Sequence, residues 1–221
     1  IWRSFLLTSS TLRASFASAG LIRVRRAVTS LCTVLLLTPL IFSKRETRKE
    51  LLSLKGKDLA FCGLSGLFLA MHFVVWFESL SNTSIASSTV LVNTEVAFAA
   101  FGYLIFFGKK IRKKEILAIG IAFLGSVVIA MADTGGGAGK NAVLGDILAL
   151  LAAFFSACYT LIGTRERSHM STMVYTYVLY WGCFLSLLVF DAVSGVPMTG
   201  YEPINWIMSL CLAVFCTLLG H

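Results

Sequence analysis

The feature that most constrains this chain is a series of seven apolar segments, each long enough to approach the thickness of a bilayer. A transmembrane helix needs about 20 apolar residues to cross the roughly 30 Å hydrocarbon layer. The segments cover residues 27–42, 58–80, 85–107, 115–132, 143–163, 173–193 and 204–220. None alternates polar and apolar residues as a barrel strand would. Because lipid admits only helices and closed barrels, the sequence predicts an all-α polytopic transmembrane helical bundle.

Composition supports the same class. Of the 221 residues, 57% are hydrophobic and only 14% are charged, and the mean hydropathy is +0.83. A water-soluble domain of this length cannot bury that much apolar surface, so the lipid bilayer is the expected partner. The net charge of +8 could suggest nucleic acid. However, the basic residues lie in short runs between apolar segments, which predicts membrane topology and no nucleic-acid partner.

The links between the apolar segments alternate in charge. Basic residues crowd the first, third and fifth links: Lys44, Arg45, Arg48, Lys49, Lys55 and Lys57, then Lys109, Lys110, Arg112, Lys113 and Lys114, then Arg165 and Arg167. The intervening links hold a single basic residue, Lys140. By the positive-inside rule we expect the three basic links to be cytoplasmic, in a protein of the plasma membrane. The alternation also supports the number of crossings, because one missed helix would break it.

Residues 1–26 do not fit this topology. Five arginines precede the first segment on the side that the other links make external: Arg3, Arg13, Arg23, Arg25 and Arg26. The stretch is rich in Ser and Arg, lacks acidic residues and does not begin with Met. One interpretation is a targeting peptide. The other is a corrupted or truncated first span around residues 5–22, which would return the N-terminus to the cytoplasm.

No sequence signature of an enzyme, a metal site or a cofactor site is present. All six cysteines lie in apolar segments without a Cys-x-x-Cys pair, which favours buried thiols over disulfides or metal ligands. The Gly-rich stretch 134–141 lacks the first Gly and the Ser/Thr of a phosphate-binding loop, so it is interpreted as an external linker. Neither a His-Glu-x-x-His nor a Gly-x-Ser-x-Gly motif occurs. We therefore expect no enzymatic activity and no cofactor.

Small residues recur at one-turn spacing on several segments. On the fifth segment they include Gly145, Ala149, Ala153 and Ser156. Such stripes let helix backbones approach closely, so tight bundle packing explains them better than direct ligand contact does.

Three ionisable residues stand out at the expected depth of the membrane: His72, Glu95 and, directly after the seventh segment, His221. Ionisable groups at membrane depth are costly, which makes each a candidate for function. His72 and Trp76 lie four residues apart, on a helix face that could line a polar cavity. The alternative is a neutral His72 bonded to a neighbouring helix. For Glu95, proton coupling and a structural pair are both compatible with the sequence.

Several motifs resemble the EamA branch of the drug/metabolite transporter superfamily. They are the run 66–72 with Trp76, the run 79–86, Gly145-Asp146-Ile147-Leu148-Ala149-Leu150 with Tyr159, and the run 216–221. The resemblance covers roughly residues 27–221. It implies a ten-helix fold built from two five-helix inverted repeats. On that mapping, residues 27–133 form the first repeat and hold family helices two to five. Residues 134–141 form the linker. Residues 142–221 form a truncated second repeat that holds family helices six to eight. About seven spans of a ten-helix transporter are then present.

Two departures from the family pattern concern the fourth family helix. Where the family often has Pro after a Thr-x pair, this chain has Thr94-Glu95-Val96, and where Gly-Glu often ends the helix it has Gly108-Lys109. The first departure puts an unusual carboxylate near the expected substrate path, so the role of Glu95 cannot be taken from the family.

The resemblance implies a secondary transporter or exporter of small organic metabolites or drugs that works by alternating access. Its substrate-binding residues are expected to be His72, Trp76, Asn93, Glu95, Tyr159 and His221. His72 and Trp76 would bind the small-molecule substrate, Glu95 would carry a proton, and a homodimer is an open alternative to a monomer. The rival functions are a non-transporting multispan membrane scaffold and an intramembrane enzyme.

Overall fold

The computed structural model describes residues 19–108, 112–132 and 141–194, together with positions 207 and 210. Regular structure in these ranges is helical throughout. The helices are α1 (Ala19–Ser43), α2 (Arg45–Leu52), α3 (Gly56–Asn82), α4 (Ile85–Val92), α5 (Glu95–Phe107), α6 (Lys113–Ala132), α7 (Ala142–Glu166) and α8 (Thr172–Val193).

Five stretches of the described residues are long and apolar enough to cross a membrane: Arg26–Ser43, Gly56–Asn82, Ile85–Phe107, Ala142–Glu166 and Thr172–Val193. Helix α6, with 20 residues, also has the length of a span. The predicted class, a polytopic transmembrane helical bundle, is confirmed. The predicted seventh span, 204–220, lies outside the described residues apart from positions 207 and 210.

The third predicted span, 85–107, differs from the structure because it consists of two helices. Helix α4 ends at Val92 and α5 begins at Glu95. At the junction the Thr94 amide and hydroxyl both donate to the carbonyl of Leu91, at 3.1 and 2.6 Å. The Ala97 amide likewise donates to the Thr94 carbonyl, three residues back. This tighter turn interrupts the regular ladder in the middle of the span.

Helix α3 is the centre of the bundle. It packs between α7 and α8, α1 covers the far side of α8, and α4 and α5 cover α7. The small residues of α7 let neighbouring helices pack closely against it. Gly145, Ala149, Ala153 and Ser156 are all buried at these contacts. The interpretation of this stripe as a packing face is confirmed. One end of the bundle holds α2, the start of α3 and the link between α7 and α8, where Ser171 bonds to Glu50 of α2. We call this end the basic end.

The opposite end of the bundle is closed by two of the motifs that carry the family resemblance. The carboxylate of Asp146 on α7 accepts hydrogen bonds from the hydroxyls of Thr83 and Ser87, both at 2.9 Å. Gly145 permits this approach, because a β-carbon there would lie 2.7 Å from the Thr83 amide nitrogen. The Gly-Asp pair and the turn after α3 are therefore two halves of one contact.

Helix α1 begins earlier than expected, at Ala19 rather than residue 27. The prediction began the span only after the charged residues, but Arg26 lies inside the helix with its guanidinium Nη2 3.4 Å from Asp191 Oδ1 on α8. Their side chains are only 4% and 1% exposed. A buried charge is tolerated when it is paired, so the chain can carry Arg26 into the bundle. One of the five arginines that did not fit the topology thus has a structural partner.

Helices α3 and α8 cross most closely at Gly66. A β-carbon at this position would lie 2.5 Å from the Leu179 carbonyl oxygen and 2.7 Å from the Cys183 amide nitrogen. Both atoms belong to the α8 backbone, so they can move only if the helix moves. The absence of a side chain at Gly66 therefore sets the spacing between the two helices.

We expect Gly66→Ala to destabilise the bundle by about 1–3 kcal/mol, the usual cost of overpacking. Thermal unfolding of the purified chain in detergent measures the effect. Gly63→Ala is the matched control, because a β-carbon there meets nothing within 4 Å. Alanine also favours the helix by about 1 kcal/mol over glycine. A melting temperature for Gly66→Ala at or above that of Gly63→Ala would contradict this account of the crossing.

Candidate functional site

His72 lies in the middle of the bundle, where α3 meets α7. Its side chain is buried, and its Nδ1 atom is 2.9 Å from the carbonyl oxygen of Ala152. A carbonyl can only accept a hydrogen bond, so Nδ1 carries the proton. This contact fixes the ring and leaves Nε2 of a neutral imidazole as an acceptor. The contact is the neighbouring-helix bond that the sequence offered as one alternative for His72.

Glu95 is the first residue of α5 and lies directly after the break in the span. Its carboxylate accepts a hydrogen bond from the hydroxyl of Ser156, a buried residue of α7. Glu95 is also within electrostatic range of His72 and of Tyr159. The break therefore presents a carboxylate to polar groups of two other helices, at a depth where such groups are rare.

Trp76 extends this cluster by one turn of α3. Its ring centroid is 5.6 Å from that of His72. The indole Nε1 is buried and has no hydrogen-bond partner among the described residues. An unpaired buried donor costs about 1–3 kcal/mol, so its position calls for an acceptor. Trp76 therefore places an aromatic ring beside the polar groups on this face of α3.

Tyr159 joins the cluster from α7, where it follows Ser156 by three residues. Its carbonyl oxygen accepts hydrogen bonds from the Ser65 and Tyr175 hydroxyls, at 3.2 and 3.4 Å. The residue is thus held by both α3 and α8. His72, Trp76, Glu95, Ser156 and Tyr159 together are called the central polar cluster below.

Asn93 lies apart from the central polar cluster. It is exposed and lines a cavity of about 640 Å³ between the α4–α5 break and α6. The other lining residues are Thr94, Val96, Ala97, Ile116, Ile119, Gly120 and Phe123. The break thus has two sides, with Glu95 facing α7 and Asn93 facing α6. His221, the sixth predicted site residue, lies outside the described residues.

Ser156 is the member of the cluster that the sequence did not single out. In the sequence it is one of the small residues of the α7 stripe. Because that stripe was interpreted as a packing face, the Ser156 hydroxyl was not considered as a binding group. Its position four residues after Ala152, whose carbonyl receives His72, is the only sequence signal that could have identified it.

The comparisons with known proteins agree with this architecture. The family model for the EamA-like transporter family matches residues 9–131. An uncharacterized transporter of Archaeoglobus fulgidus is 25% identical over 195 residues, covering 85% of this chain and 65% of the relative. An uncharacterized transporter of Clostridium kluyveri is 25% identical over 185 residues, covering 80% of this chain and 58% of the relative. The chain therefore spans less than two thirds of the length of these relatives.

The family match begins at residue 9, inside the segment 1–26 that the sequence set apart, and ends one residue before the end of α6. It covers more than half of the 221 residues, including α3 and the break that places Glu95. The resemblance drawn from the motifs is confirmed, and this multi-pass membrane protein belongs to the EamA-like transporter family.

Proposed function

We propose that the chain is the greater part of a secondary transporter that moves small organic metabolites or drugs by alternating access. The observation that carries the proposal is the interruption of a membrane span beside the central polar cluster. Transporters commonly form substrate and ion sites near the bilayer midplane, at discontinuous helices whose freed backbone groups face a cavity. Family membership favours this function over an intramembrane enzyme or a non-transporting scaffold.

The central polar cluster offers three kinds of contact to a substrate. Trp76 and His72 supply two adjacent aromatic rings, inclined to each other by 31°, for a planar or apolar part. The indole N–H of Trp76 is available to an acceptor, and Nε2 of neutral His72 to a donor. These features suit a small organic molecule with one or two polar groups near a ring or apolar body. In this proposal Asn93 reaches the same pathway from the α6 side of the break.

The larger architecture follows from the same proposal. The native protein would have ten helices in two inverted repeats that rock against each other. The three basic links would face the cytoplasm, with the protein in the plasma membrane. His221 would contribute to the site from the second repeat. Coupling to protons through Glu95 and assembly as a homodimer are further parts of the proposal, each with its own test.

Transport by the full-length protein in proteoliposomes tests the proposal. We expect flux of at least one compound in a broad panel of small organic metabolites and drugs, saturating with concentration and absent from protein-free vesicles. Trp76→Phe is expected to weaken that flux because it removes the indole N–H while keeping an aromatic ring. Glu78→Gln, which changes an exposed residue of α3, is the control. No protein-dependent flux across the panel would contradict a transport function and favour the scaffold.

A further inference from the structure

Three potential metal ligands meet at the basic end, away from the central polar cluster. Asp58 lies at the start of α3, Glu166 is the last residue of α7, and His169 follows in the link to α8. His169 Nε2 lies 3.3 Å from Glu166 Oε2 and 3.5 Å from Asp58 Oδ1. All three ligand atoms are within 4.8 Å of one another. Side chains from three segments thus converge on one point.

Glu166 is the member that needs explanation. Its side chain is only 2% exposed, and its Oε2 atom makes no hydrogen bond within the described part of the chain. It also ends α7, where the helix dipole presents its negative pole and disfavours a carboxylate. The Arg165 Nε atom is 3.9 Å from the other carboxylate oxygen, but this guanidinium is stacked 4.4 Å over the Phe61 ring. The side of Glu166 that lacks a hydrogen-bond partner in the described ranges faces Asp58 and His169, with Oε2 3.3 Å from His169 Nε2, and a cation bound there would stabilise the buried carboxylate.

The spacing of the three ligands suits a transition-metal ion. Zinc binds imidazole nitrogen and carboxylate oxygen at about 2.0–2.2 Å in a tetrahedron, which places neighbouring ligand atoms about 3.3–3.5 Å apart. The distances from His169 Nε2 fall in that range. A mixed set of one imidazole and two carboxylates suits Zn²⁺, Co²⁺ or Mn²⁺ better than Ca²⁺ or Mg²⁺, which prefer oxygen alone.

We propose that Asp58, Glu166 and His169 form a divalent transition-metal site that ties α3, α7 and the α7–α8 link together. Two carboxylates balance the charge of the ion, and a fourth coordination position is available to water. His169 is 47% exposed, which gives the ion a path from the aqueous phase. The second oxygen of Asp58 accepts the Lys55 amide at 3.0 Å, which orients the carboxylate as an outer-shell partner would. Sequence alone predicted no metal site, because the cysteines carry no metal motif and these ligands come from distant segments.

Cobalt binding to the purified chain in detergent tests the site. After chelator treatment, Co²⁺ is expected to bind at one equivalent and give the visible absorption of a four-coordinate ion, which Zn²⁺ then abolishes. His169→Ala and Glu166→Gln should each weaken binding by more than the roughly 10–100-fold that loss of an outer-shell partner costs. Glu46→Gln, an exposed carboxylate of α2, is the matched control and should bind as the parent chain does.

A second measurement separates loss of ligands from loss of fold. Zn²⁺ should raise the melting temperature of the parent chain and of Glu46→Gln but not of His169→Ala, with all three folded before the ion is added. Absence of saturable Co²⁺ binding by the folded parent chain would overturn the proposal. Equal binding by His169→Ala would also overturn it. Either result would show that the three side chains meet without a metal ion between them.

Discussion

Asp191→Asn is expected to destabilise the bundle by about 3–5 kcal/mol, the usual cost of breaking a buried ion pair. The substitution leaves the guanidinium of Arg26 charged and only 4% exposed. Asparagine keeps the size of the side chain, so the loss reports the missing charge rather than a cavity. Arg26→Gln should be similarly harmful because it removes the guanidinium that faces the buried Asp191 carboxylate. These are the largest changes in stability that we expect from any single substitution in the described residues.

The double variant Arg26→Gln with Asp191→Asn provides the decisive control. A buried pair can often be replaced by uncharged groups at little cost, so the double variant should recover much of the stability lost in each single variant. Thermal unfolding of the full chain in detergent gives the four melting temperatures of the cycle. Glu78→Gln, an exposed carboxylate of α3, should leave the melting temperature unchanged. Additive losses in the double variant would show that Arg26 and Asp191 act independently.

The long helices could be predicted from the sequence because length and hydropathy alone decide what crosses a bilayer. The ends of α3, α7 and α8 therefore lie close to the expected residues. Charged residues gave the wrong helix boundary where they form a buried ion pair. Arg26 made the first predicted span begin too late, at residue 27, since its partner Asp191 lies 165 residues away and could not be recognised from the local sequence. The break at Thr94 was also missed, because it depends on a local competition between hydroxyl and amide for one carbonyl.

The candidate site was predictable only in part, because it too depends on contacts between residues that are distant in the sequence. His72 and Glu95 stand out in any apolar segment because their burial is costly. Ser156 does not, because a hydroxyl in a stripe of small residues has the same appearance whether it packs or binds. The ligands of the proposed metal site lie at segment ends, where charged residues are ordinary. Their convergence depends on how α3 packs against α7, which no local pattern specifies.

Glu95→Gln is the functional substitution with the largest expected effect. If Glu95 carries the coupled proton, the amide cannot release or bind it, and uptake driven by a pH gradient should fall by at least about tenfold, equivalent to about 1.4 kcal/mol. Exchange of labelled for unlabelled substrate needs no net proton movement and should persist. Full-length protein in proteoliposomes, with flux measured across a range of external pH, gives both quantities. The pH dependence itself should flatten in the variant.

Ser156→Ala and Glu78→Gln are the controls that distinguish proton transfer by Glu95 from other effects of its substitution. Ser156→Ala removes the donor to the Glu95 carboxylate but keeps the ionisable group, so pH-driven uptake should remain. Glu78→Gln changes an exposed carboxylate of α3 and should leave the profile as it is. An unchanged profile in Glu95→Gln would remove the proton-carrier role. A lower melting temperature with an unchanged profile would instead identify Glu95 and Ser156 as a structural pair that holds the broken span against α7.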